Sequence, residues 1–340
     1  MCTKIVLLTA VILSGQVFAE AADAKKEVVA LVDKAKPAAP ILTKGQEALK
    51  YMKEKFSVSY HGEYYLARRL PYFENSTDEK EKDIQDLHIM HNPTLIYKPT
   101  NNWQLLATAE FKYSDRPNYI YYPNSFYRSL FTVTRKNILT EEGSGIQLDA
   151  GIGRRQFNTG LAAIHSYGNN RIFTTVSKKF NKHSGSLFLQ YLQNDYKHPT
   201  MATWKHGLEI IPTINLRLTE KLTWLINDDI VINLPNDQGT ARNYYISHDM
   251  NIGYFNYQWN DKVGTYYQLK YLHARYDFTK NYQSDYDSFE NYLGISYAYN
   301  SKMAFAAEIG SEVFRSGDRK DFFSEKVRYP ELAFYVDISL

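Results

Sequence analysis

Serine stands beside histidine three times in this chain, at His165–Ser166, His183–Ser184 and Ser247–His248. A hydrolytic pair carried on a strand needs its nucleophile and base two residues apart, because immediate neighbours point to opposite faces. The acidic neighbours Asp228 and Asp229, and the couple His248–Asp249, fail as general acid–base pairs for the same reason. His88 and His91 are three apart and diverge on a strand, and no Cys/His cluster has metal-ligand spacing. The glycines of Gly151–Gln156 (GIGRRQ) sit inside a strand pattern and open no helix, so they form no phosphate cradle. These spacings predict no catalysis, no metal and no cofactor. What remains is electrostatics, and its use depends on the elements that position the charges.

The chain has 340 residues, with 40 Lys+Arg against 37 Asp+Glu and a net charge of +3. That balance lacks the clustered basic patch of a nucleic-acid binder, so no nucleic-acid partner is expected. A mean hydropathy of −0.47 excludes a bundle of membrane helices. The aromatic share is 15%, with 29 Tyr, a composition that favours strands. Residues 1–19 read as a secretory signal peptide: Lys4 gives the charged end, Ile5–Leu13 the short apolar core, and Val17 and Ala19 the cleavage site. The single cysteine, Cys2, precedes the apolar core, where a lipoprotein anchor would not use it, so the exported chain is expected to be free of thiols and disulfides. Residues 20–55 are rich in Ala, Lys and Glu and read as a periplasmic tether, with Thr43 and Gln46 able to cap a helix toward Lys55.

From Phe56 to Leu340 the hydrophobic period is two. Leu208, Ile210, Pro212, Ile214 and Leu216 alternate with Glu209, Thr213, Asn215 and Arg217. Tyr244, Ile246, Met250, Ile252 and Tyr254 alternate with Ser247, Asp249 and Asn251. Connections alternate too. Short turns rich in Asn, Gly, Asp and Ser fall at Lys98–Asn102, Thr140–Gly145, Asn181–Gly185, Thr219–Lys221, Asn260–Lys262 and Asn300–Lys302. Between them lie longer polar loops. About fourteen strands are predicted, within a range of about twelve to sixteen, forming an all-β, antiparallel up-and-down barrel that spans a membrane. Two aromatic bands are expected at its ends: Tyr97, Trp103, Phe180, Phe188, Trp224, Trp259, Tyr299 and Phe305 near the short turns, and Tyr64, Tyr65, Tyr113, Phe126, Tyr127, Trp204, Tyr244, Tyr271 and Phe289 near the long loops.

The final strand, ELAFYVDISL, places Leu332, Phe334, Val336, Ile338 and Leu340 at alternate positions up to the terminus. This resembles the C-terminal assembly signal of Gram-negative outer-membrane β-barrels, and the strand number and loop sizes are similar to those of monomeric porins. The resemblance implies residence in the outer membrane among lipid and lipopolysaccharide, insertion by the barrel-assembly machinery, and a monomer.

If the apolar parity faces lipid, the opposite parity lines a pore. That assigns Arg69, Lys112, Arg128, Arg155, Arg171 and Lys179 to a basic wall, and Glu209, Asp229, Asp249, Glu308 and Glu312 to an acidic one. Asp228 disagrees: its parity turns it toward lipid unless a bulge re-aims it. The expected function is passive diffusion of small polar solutes through a water-filled channel. A non-conducting barrel that serves as surface receptor or adhesin through its long loops is the other reading.

Overall fold

The computed structural model describes residues 44–69, 85–114, 125–158, 166–196, 205–234, 245–275, 286–315 and 331–340. The expected signal peptide, most of the tether, and the aromatic-band residues Trp204 and Tyr244 lie outside these residues. One helix, α1 (Lys44–Lys55), carries an exposed i,i+4 pair between Lys50 and Glu54 at 3.9 Å. The division into two compact units falls between Ser57 and Val58.

Fourteen strands follow: β1 (Phe56–Arg69), β2 (Gln85–Thr100), β3 (Trp103–Ser114), β4 (Ser125–Leu139), β5 (Gln147–Phe157), β6 (Ser166–Phe180), β7 (His183–Tyr196), β8 (His206–Arg217), β9 (Leu222–Leu234), β10 (Tyr245–Gln258), β11 (Val263–Arg275), β12 (Tyr286–Asn300), β13 (Met303–Arg315) and β14 (Glu331–Ser339). Each pairs antiparallel with its sequence neighbours, and β1 pairs with β14, so the sheet is a closed up-and-down barrel. The tight connections are where the turn chemistry placed them. Asn181 takes a left-handed conformation (φ 60°) in the β6–β7 turn. A four-residue helix, α2 (Glu141–Ser144), links β4 to β5 and ends on Gly145 at φ 76°. The seam closes at the same end, where the Leu340 amide donates to the Val58 carbonyl at 2.8 Å.

The barrel is inside-out relative to an ordinary core. Ile172, Ile152 and Leu293 are 63%, 60% and 58% exposed on the outer face. Lys270, Glu63, Asn251 and Asp229 rank among its most deeply buried side chains. On β14, Phe334 is exposed while Ala333 and Tyr335 are buried, so the apolar terminal series faces outward.

Register shifts interrupt the simple alternation in several strands, and two of them re-aim interior residues. In β4, Arg128 pairs with Glu110 but Phe126 pairs with Phe111, so Tyr127 is an extra residue and turns inward beside Arg128. In β10, Asn251 pairs with Lys270 while Gly253 pairs with Leu269, which makes Ile252 the extra residue. Beyond it the parity flips. Tyr254, expected on the outer face, pairs with buried Gln268 and stacks on Tyr266 at 5.3 Å. The aromatic bands change accordingly: Tyr65 and Tyr127 are buried within the barrel. Phe188, on the parity of buried Gln190, meets Phe173 inside.

Interior aromatics seat on glycines of the neighbouring strand. Tyr266 lies over Gly294, Tyr292 over Gly310 and Phe173 over Gly151, each ring filling the space where a Cβ would stand. Gly294→Ala must therefore lift the Tyr266 ring away from its place. We expect a loss of about 1–3 kcal/mol, as for other overpacked sites. It should be read as a lower unfolding midpoint in urea, whereas Gly143→Ala, in the exposed β4–β5 connection, leaves the midpoint nearly unchanged.

Candidate lumenal site

Inward positions on β3 to β6 carry the basic cluster. Arg128 donates through Nε to Glu110 at 2.7 Å, and Lys112 lies 3.1 Å from the same carboxylate. The Lys112 ammonium also sits 3.8 Å from the centroid of the Tyr127 ring, a position that the β4 bulge creates. Arg171 donates to Asn169 at 2.8 Å and to Gln190 at 3.4 Å, and Gln190 donates in turn to Glu209. Arg155 interacts with Arg171 and Arg128 as like charges and with Glu209 and Glu110 as opposite ones; its Nε is buried with no hydrogen-bond partner. Gln190 and Glu209 are thus the hinge between basic and acidic sectors.

The acidic sector follows on β9 and β10. Asp229 and Asp249 are Cα partners across the two strands and are 1% and 2% exposed. None of their four carboxylate oxygens has a hydrogen-bond partner among the described residues. Lys270, on β11, brings its ammonium to 3.9 Å from Asp249. One inward position toward the short turns, Asn251 donates to Asn227 at 2.8 Å and accepts from Gln268, so the amide row is satisfied where the carboxylate row is not.

The other assigned residues fall in different places. Glu308, on β13, accepts from Tyr266 at 3.0 Å and from Tyr335 at 2.5 Å. Lys179 is exposed at the short-turn rim, where its backbone amide donates to Glu141 at 2.7 Å. The side chains of Arg69 and Glu312 lie outside the described residues. On β1, His61 lies between Asp337 at 2.7 Å and Glu63 at 3.3 Å, and Tyr65 donates to Glu63 at 2.7 Å. Sequence reasoning overlooked the tyrosines as lumenal groups. Their signal was there: Tyr266 shares the parity of Gln268 and Lys270, and Tyr335 stands between outward Phe334 and Val336.

Asp228 does face outward. The bulge that was expected to rescue it lies in β10 instead, and β9 keeps an unbroken register with β8 from Ile230 to Ile226. His248 holds the carboxylate at 2.8 Å, and its ring packs 5.9 Å from His273, which reaches Asp287 at 2.7 Å. Tyr271 donates to Asp287 at 2.6 Å. Among the described residues no group of three His, Cys, Asp or Glu side chains is gathered to hold a metal.

No protein-family model and no curated protein matches the chain. Solved structures similar to it include an outer membrane channel from Pseudomonas putida F1, at 9% identity and a TM-score of 0.42, covering 84% of this chain and 95% of that one. A loop L8 deletion mutant of OmpT from Vibrio cholerae matches at 10% identity and 0.43, covering 84% and 98%. Salmonella typhi OmpF, in complex with daunomycin, matches at 8% identity and 0.47, covering 84% and 97%.

Removing one partner of a hydrogen bond to a buried carboxylate leaves the other unsatisfied, whereas replacing both costs little. His248→Leu should therefore destabilise the barrel by about 1–3 kcal/mol, and adding Asp228→Leu should recover most of that loss. Denaturant unfolding in lipid vesicles, run as a double-mutant cycle, measures the difference.

Proposed function

We propose that the protein is an outer-membrane channel for passive diffusion of small hydrophilic solutes, with the charged interior layer as its narrowest level. The observation that carries this reading is the inversion: apolar side chains cover the outside of a closed fourteen-strand sheet while Lys, Arg, Asp and Glu fill the inside. Such a surface is at rest in hydrocarbon, and charged side chains inside a barrel make a polar lumen. The resemblance to porins and the alternating short and long connections support the same reading. Passage needs no chemical step, so the interior charges act by selecting and orienting solutes at short range.

The basic cluster on β3–β6 should favour anions at that level. In planar bilayers the purified protein is expected to give ohmic conductance steps. The variant Arg128→Gln/Arg155→Gln/Arg171→Gln should shift the reversal potential in a salt gradient toward cation selectivity. An unmoved reversal potential contradicts the assignment of these residues to the ion path, and electrical silence contradicts the channel itself.

A further inference from the structure

We propose that Asp229 and Asp249 form a binding station for the alkylammonium group of small cationic solutes inside the barrel. This inference deepens the channel reading and rests on it for the route by which solutes arrive. Two carboxylates on adjacent strands repel each other, and burial makes that repulsion and the lost hydration costly. Here both are buried, all four oxygens lack hydrogen-bond partners among the described residues, and Glu209 adds further negative charge around Asp229. Lys270 compensates only in part, through one contact of 3.9 Å to Asp249. The row therefore holds an excess of acceptors and too few donors.

A second observation comes from a different residue type. Ser247, one inward position along β10 from Asp249, is 7% exposed, and its hydroxyl oxygen is buried without a partner. Its cross-strand partner is Val231, the inward neighbour of Asp229, which offers it nothing. The hydroxyl adds one more acceptor to the same stretch of wall. On the opposite side the row is closed by the Asn227–Asn251–Gln268 amides, whose bonds are directed at one another.

The occupant's chemistry follows from what is and is not assembled. Among the described residues no three acidic or imidazole groups converge, so the station does not have the donor set of a tight metal site. An ammonium is different: three N–H donors satisfy three oxygens at once, and the group already positioned beside Asp249 is the ammonium of Lys270. An incoming alkylammonium takes the acceptors that Lys270 leaves open and competes with it for Asp249.

The probe is 1,4-diaminobutane, titrated calorimetrically into the detergent-solubilised full-length protein, with heat-modifiable gel migration confirming that each variant is folded. Wild type should bind. Asp229→Asn and Asp249→Asn should each weaken binding by about tenfold, the equivalent of one lost charge-assisted contact, and the double variant should abolish it. Lys270→Met should tighten binding several-fold, because the resident competitor is gone; a purely structural lysine would leave it unchanged or weaker. Absence of binding to wild type, or equal binding by the Asp229→Asn/Asp249→Asn variant, overturns the station. Bilayer recording separates the two readings: diamine binding by a protein that does not conduct removes the channel and keeps the station, while conductance without diamine binding does the reverse.

Discussion

Every backbone N–H and C=O in a hydrocarbon layer must find a partner within the protein, because no water is present to supply one. A sheet can meet that demand only by having no edge, and the rest of this structure follows from closure. The seam is made by β1 and β14, paired from Ser59–Ser339 to Leu66–Leu332. The last residues of the chain thus complete the ladder. The apolar series Leu332 to Leu340 has two duties, since the segment that presents an oily outer face also supplies the final strand.

Closure fixes an inside and an outside, and the two faces meet different solvents. On the outside, apart from the Asp228–His248 and His273–Asp287 pairs, alternation needs only bulk and apolarity. On the inside, charged and aromatic groups must be satisfied by each other, and they are arranged in rows that run across strands: Lys112–Glu110–Arg128, Arg171–Gln190–Glu209, Tyr266–Glu308–Tyr335. Cross-strand glycines make room for the rings. In the row containing Asp229 and Asp249, acceptors outnumber donors. Polar networks with unfilled positions are costly to keep for stability alone, and that is where recognition of a solute has physical grounds.

The strands were legible in the sequence because each separates two media, so the period of two survives along almost its whole length. The short turns were legible because Asn, Gly and Asp mark backbone conformations that other residues resist. The bulges were not. One inserted residue, Tyr127 or Ile252, leaves the local pattern looking regular while reversing everything beyond it, and only pairing with the next strand reveals the shift. For the same reason Tyr254 was read onto the wrong face. Tyr65 and Phe188 were assigned to the outer bands because an aromatic serves at a lipid interface or inside a barrel equally well. The charged residues of the interior were readable by parity, but which of them pair was not. Glu110 gathers Lys112 from two residues along its own strand and Arg128 from the next, and Asp228 is hydrogen-bonded to a histidine twenty residues away.

The central claim is the orientation of the two faces, and β8 offers the clearest place to measure it. With Cys2 replaced, single cysteines at each position from Leu208 to Ile214 can carry nitroxide labels in lipid vesicles, and their collision rates with oxygen and with a water-soluble nickel chelate can be compared. The account predicts a period-two profile, with Leu208, Ile210, Pro212 and Ile214 high for oxygen and Glu209, Ile211 and Thr213 low. A profile of opposite phase, or a protein that stays soluble without detergent and shows no oxygen maxima, would contradict it.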